Sequence, residues 1–125
     1  MKLSDYIFQF IKKEVADSVF LVSGGGIMHL VDSLGKSGLE SYCCHHEQAV
    51  AIVTEGYGRI KNSPGVALVT TGPGGTNAVT GIAGAWLDSI PMLVIAGQVK
   101  RASITPRQNG VPVVRAIGFQ ELNVI

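Results

Sequence analysis

The chain has 125 residues, 46% of them hydrophobic and 15% charged, with a formal net charge of +1 at pH 7. That length suits one domain with a buried core, and balanced charge without a Lys or Arg run argues against nucleic acid or an anionic membrane as partner. No apolar stretch approaches the roughly 20 residues that span a bilayer. Residues 1–13 do not read as a signal peptide, because Asp5 interrupts them and their apolar residues are spaced. Cys43 and Cys44 are adjacent, and sequence neighbours rarely pair, so the expected compartment is a reducing cytoplasm.

Ser4 is a candidate cap for a first helix, with Ile7, Phe8, Ile11 and Val15 on one face. Residues 19–22 make a short apolar strand ending in Ser23-Gly24-Gly25-Gly26. Ile27, Leu30, Val31 and Leu34 form a second helical stripe, stopped by Gly35 and Gly38. Residues 39–44 read as a strand, and residues 47–60 as a helix closed by Asn62-Ser63-Pro64-Gly65. Residues 66–71 are continuously apolar, the pattern of a parallel strand covered on both faces. Gly72-Pro73-Gly74-Gly75 then leads into a small-residue helix over residues 76–87, and residues 92–96 form another strand. After Gly97 the pattern loosens through Pro106 and Pro112 and resumes as a helix near Val113.

Repeated strand–helix alternation predicts an α/β domain with a parallel sheet and helices on both faces, a three-layer α/β/α arrangement. Each glycine cluster follows a strand, and ligands of such sheets bind at the carboxyl ends of strands. The segments 24–26, 45–47, 72–75 and 97–98 should therefore gather along one edge.

Glu47 opens a helix at that edge, beside Ala49, Val50, Ala51, Ile52 and Val53. A carboxyl among apolar side chains can hold a proton near neutrality, whereas a first-turn glutamate can simply complement the helix dipole. Position alone leaves both readings open. Cys43, Cys44, His45 and His46 do not form a metal site, because alternate side chains of a strand point to opposite faces and no second ligand cluster follows at zinc-like spacing. A single histidine at the mouth of the cleft could transfer protons, or both could be ordinary strand-end residues. The glycine loops fail the tests for nucleotide binding. His29 and Asn77 stand where a dinucleotide fingerprint needs its third glycine, and neither loop carries Gly-Lys-Ser/Thr.

Together these segments resemble the pyrimidine-binding (PYR) domain of thiamine-diphosphate enzymes, acetolactate synthase large subunits in particular. The resemblance rests on His46-Glu47-Gln48-Ala49 with Glu55-Gly56-Tyr57-Gly58-Arg59, and on Thr70-Thr71-Gly72-Pro73-Gly74-Gly75-Thr76-Asn77. Ala85-Trp86-Leu87-Asp88-Ser89-Ile90-Pro91, Ile95-Ala96-Gly97-Gln98-Val99 and Phe119-Gln120-Glu121 continue it in the family's order and spacing. It implies the thiamine-diphosphate-binding fold over residues 1–125 and 2-keto acid decarboxylation with carboligation. By the same resemblance, Glu47 hydrogen-bonds N1′ of the cofactor's aminopyrimidine and favours its imino tautomer. Gly24, Gly25, Gly26, Gly72, Pro73, Gly74 and Asn77 line the pyrimidine pocket. Gln120 faces the reacting centre, with Phe119, His45 and His46 on the substrate side.

The sequence departs from the family in having Gly25-Gly26 where Pro-Gly is common, and in its paired His45-His46. It also lacks the Gly-Asp-Gly signature of the family's diphosphate- and magnesium-binding domain. The expectation is thus an N-terminal part of a longer chain without its central and diphosphate-binding domains. The diphosphate and Mg2+ would be held by a second subunit of a homodimer or homotetramer. A stand-alone PYR subunit of a two-subunit decarboxylase, or a non-catalytic interaction module on the same fold, are the alternatives.

Overall fold

A computed structural model describes residues 1–99 and the backbone of residues 107–108 and 111–112. Helix α1 (Leu3–Glu14) is followed by β1 (Ser18–Leu21), a single 3-10 turn (Gly25–Ile27), α2 (Met28–Ser37), β2 (Glu40–Cys43) and α3 (Glu47–Lys61). Next come β3 (Gly65–Val69), α4 (Pro73–Leu87) and β4 (Met92–Ala96), then a short antiparallel pair, β5 (Arg107–Gln108) and β6 (Val111–Pro112). Strands β1 to β4 form one sheet in the order β2-β1-β3-β4, with every pairing parallel.

The helices divide between the two faces of this sheet, and strand alternation decides which residues meet which layer. Val19, Leu21, Val66 and Leu68 pack with Phe8 and Ile11 of α1 and Leu34 of α2. Phe20, Ala67 and Val69 point the other way, onto Val50 and Ala51 of α3 and Ala78 of α4. The central strands β1 and β3 are buried throughout, as continuous apolar runs require when both faces are covered. The edge strand β2 is exposed along its length.

Three local expectations need correction. Ser4 does not cap α1. The helix begins at Leu3, the Asp5 carboxylate takes the Lys2 N–H at 3.3 Å, and the buried Ser4 hydroxyl lies 2.8 Å from Ser33 Oγ between α1 and α2. Gly35 does not stop α2, which runs on to Ser37. Gly38 ends it at φ 72°, a conformation that glycine adopts without strain. Helix α4 starts at Pro73, earlier than its apolar stripe suggests, because proline suits the first helical position, where no N–H is needed.

Helix α3 is tied down at both flanks of its second half. Tyr57 donates its hydroxyl to Asp17 at the foot of β1, and Ser18 donates to the same carboxylate oxygen at 2.7 Å. These hydroxyls, Tyr57 foremost, hold the Asp17 carboxyl below its ordinary range. Arg59 bridges Glu55 on its own helix and Asp88 at the end of α4. The orientation of α3 fixes where its first residue, Glu47, stands.

Candidate active site

The strand order places a switch point between β1 and β3. From β1 the chain moves to α2 on one face of the sheet, and from β3 to α4 on the other. The two loops part there, and such a crevice at the carboxyl ends of strands is where open α/β sheets bind ligands.

Thr70 and Thr71, just past β3, draw the glycine loops together. A β-carbon at Gly24 would lie 2.6 Å from Thr70 Cβ, and one at Gly26 only 2.2 Å from Thr71 Cγ2. On the other side of Thr70, a β-carbon at Gly74 would stand 2.8 Å from its Cγ2. Gly97 closes the group. Its N–H reaches Val69 O at 2.9 Å, and a β-carbon there would meet Gly26 O at 3.0 Å. These glycines are required by loop-on-loop packing. Gly25 differs, since nothing lies within 4 Å of its β-carbon position. Gly72 has φ 59° and ψ −118°, so the sharp turn from β3 into α4 demands glycine. The expected gathering of segments 24–26, 45–47, 72–75 and 97–98 is thus present in the fold. In the sequence Thr70 and Thr71 read only as the end of the strand over residues 66–71 and the start of a motif block, and nothing there marks them as the hub of these loops.

Glu47 is the first residue of α3 and is half-buried. Its Oε2 accepts a hydrogen bond from Asn77 Nδ2 on α4 at 3.1 Å. Its Oε1 faces Gly74, whose β-carbon position lies 3.7 Å away. His46 caps the same helix, its Nδ1 accepting the Gln48 N–H at 3.1 Å, so the ring carries its proton on Nε2. His45 is exposed beside it. Cys43 is an exposed free thiol, and burial pushes the Cys44 thiol up from its ordinary range. Among the described residues no group of three or more His, Cys, Asp or Glu side chains converges as a metal site would require. Phe119 and Gln120 lie outside the described residues.

A glutamate and an asparagine from two neighbouring helices, set in a ring of glycine loops at a sheet's switch point, is the arrangement against which known proteins can be compared. The model of the thiamine pyrophosphate enzymes' N-terminal TPP binding domain matches residues 1–121. This chain belongs to that family. Among its relatives, acetolactate synthase isozyme 2 large subunit of Escherichia coli (strain K12) is 36% identical over 125 residues, covering 100% of this chain and 21% of that protein. The acetolactate synthase large subunit of Lactococcus lactis subsp. lactis (strain IL1403) is 41% identical over 102 residues, 81% of this chain and 18% of the relative. That of Buchnera aphidicola subsp. Acyrthosiphon pisum (strain APS) is 47% identical over 87 residues, 69% of this chain and 15% of the relative. This TPP-family chain spans about a fifth of the length of the curated relatives it matches. Its four parallel strands between two helical layers agree with the three-layer PYR fold that the motifs implied.

Proposed function

We propose that this chain supplies the aminopyrimidine half of the site in a thiamine-diphosphate-dependent enzyme of the acetolactate synthase type. Such an enzyme decarboxylates a 2-keto acid and joins the remaining carbon unit to a second carbonyl compound. The observation that carries the reading is the setting of Glu47, with one carboxyl oxygen held by Asn77 and the other beside a glycine at the switch point.

The residues present fit the group. Among the described residues Oε1 accepts no hydrogen bond, and Gly74 brings no side chain to cover it. A carboxyl so presented suits a ring nitrogen with which it shares a proton. When bound, the cofactor supplies the electron sink for cleavage of the keto acid. Glu47 holds or releases the proton at N1′ of the pyrimidine. The turn at Gly72, Pro73 and Gly74 keeps the backbone low beside that carboxyl, and Gly25 presents open backbone on the opposite loop. His45 and His46 stand exposed at the mouth, where Nε2 of His46 is the nitrogen able to exchange a proton. Gln120 and Phe119 are assigned to the substrate side on the strength of the Phe-Gln-Glu motif alone.

The diphosphate and Mg2+ are assigned to another domain, brought by a second subunit in a cytoplasmic homo-oligomer. The outer face of the α3–α4 layer supports a partner. Ile52 and Val53 on α3 and Val79 on α4 are exposed, and Trp86 and Leu87 are 83% and 81% exposed. Exposed large apolar side chains on two neighbouring helices are the kind of feature that can mark an interaction surface. No helix among the described residues is long and apolar enough to cross a membrane.

The test is exchange of the cofactor's C2 proton for deuterium, followed by NMR with Mg2+ present, using protein from the complete reading frame. Fast exchange in wild type and slow exchange in Glu47→Gln are expected. Equal rates in the two proteins, both with cofactor bound, would remove Glu47 from the chemistry.

A further inference from the structure

We infer that Asn77 is a positioning residue, which holds the Glu47 carboxyl in one rotamer through both of its protonation states and does not itself bind the cofactor. The inference rests on the assignment of Glu47 above and changes the role that the motif alone gives Asn77.

The geometry starts with the seam between α3 and α4. Residues four apart on a helix share a face, so Glu47 and Ala51 lie on one side of α3, and Asn77 and Gly81 on one side of α4. At the inner pair the helices almost touch, since a β-carbon at Gly81 would be 2.5 Å from Ala51 Cβ. One turn nearer the site, the same seam ends in the Asn77–Glu47 hydrogen bond of 3.1 Å. Close packing at Gly81 therefore fixes the reach of Asn77. With Oε2 anchored, the carboxyl turns Oε1 toward Gly74, and the reactive oxygen is aimed before any ligand arrives.

The chemistry of the side chain explains why an amide suits this place. An ionised carboxylate only accepts hydrogen bonds, so Nδ2 must face it. Once Glu47 holds a proton on Oε1, the oxygen turned toward the ring nitrogen, Oε2 is still an acceptor and Nδ2 can go on donating to it. Asparagine can stay bonded across the proton transfer and takes up no proton of its own. Aspartate would set a second negative charge against Glu47, and alanine would leave the carboxyl free to rotate.

The decisive experiment uses protein from the complete reading frame in five forms: wild type, Asn77→Ala, Asn77→Asp, Glu47→Gln and the double variant Glu47→Gln/Asn77→Asp. The first readout is the melting temperature without cofactor. Asn77→Asp should lower it, and the double variant should restore it, because the amide of the glutamine then donates to the aspartate. A residue that merely fills space would show no such dependence on the polarity of position 47. The second readout is C2-proton exchange with cofactor and Mg2+ bound. Asn77→Ala should slow exchange about tenfold, the worth of one hydrogen bond to a charged group, and the double variant should stay as slow as Glu47→Gln. Wild-type exchange in Asn77→Ala with slow exchange in Glu47→Gln overturns the positioning role alone. So does a double variant no more stable than Asn77→Asp. Wild-type exchange in Glu47→Gln overturns the assignment of Glu47, and the positioning role with it.

Discussion

Helix α4 contains its own paired experiment. Gly81 and Gly84 are interior positions of the same helix, so changing either to alanine should raise helix propensity equally, by about 1 kcal/mol. Their surroundings differ. At Gly84 nothing lies within 4 Å of the β-carbon position, so the propensity gain should survive as about 0.5–1 kcal/mol of added stability. At Gly81 the new carbon would sit 2.5 Å from Ala51 Cβ and 3.0 Å from both Ala51 C and Ile52 N. Carbon contacts prefer about 3.5–4.0 Å, and the backbone atoms of α3 cannot rotate aside, so the helices would have to part by about 1 Å. Overpacking of this kind costs about 1–3 kcal/mol, and the rigid neighbours put it at the upper end. The expected net loss is about 2 kcal/mol after the propensity gain. Urea denaturation of the 125-residue chain followed by far-UV circular dichroism would measure both variants. At about 4 °C per kcal/mol for a domain of this size, Gly84→Ala should melt higher than wild type and Gly81→Ala lower by about 8 °C. A Gly81→Ala protein as stable as Gly84→Ala would mean that α3 and α4 do not pack as described. The seam that aims Glu47 would then lose its support.

The Asp17 carboxyl, depressed chiefly by the Tyr57 hydroxyl, should make the stability of the α3–β1 junction depend on pH. A carboxyl lowered in the folded state stabilises above its unfolded pKa, and that contribution fades as pH falls through the folded value. The melting-temperature gap between wild type and Tyr57→Phe should therefore be full at neutral pH and shrink below about pH 4. A gap that is constant down to pH 2 would show that Asp17 does not supply it. Replacing Trp86 with glutamate on the exposed α3–α4 face should reduce the oligomeric state seen by light scattering, with little change in helix content. An unchanged assembly would mean that this face has no partner.

The layer architecture and the position of the chemistry were legible in the residues. The apolar run over residues 66–71 announced a strand covered on both sides, and β3 is buried at every position. Glycine clusters after strands pointed to one ligand edge, where the loops meet around Thr70 and Thr71. Helix boundaries were read less well. Ser4 has the chemistry of a cap yet lies in the first turn, because Asp5 already serves the Lys2 N–H and a serine partner waits on α2. Gly35 was read as a stop, but burial of the α2 stripe carries the helix past a residue of poor propensity.

By itself the sequence determined the order of strands and helices, the motif blocks of its family, and the presence of Glu47 at a helix start. Periodicity and turn chemistry are local properties, encoded within a few residues. Only the tertiary structure decided that the central glycines serve mainly to let loops pack on two threonines. It alone placed Asn77 against Glu47, thirty residues apart in the chain. Both facts depend on how closely α3, α4 and the loops after β1 and β3 approach one another, and such distances are set by packing between elements that no local pattern records.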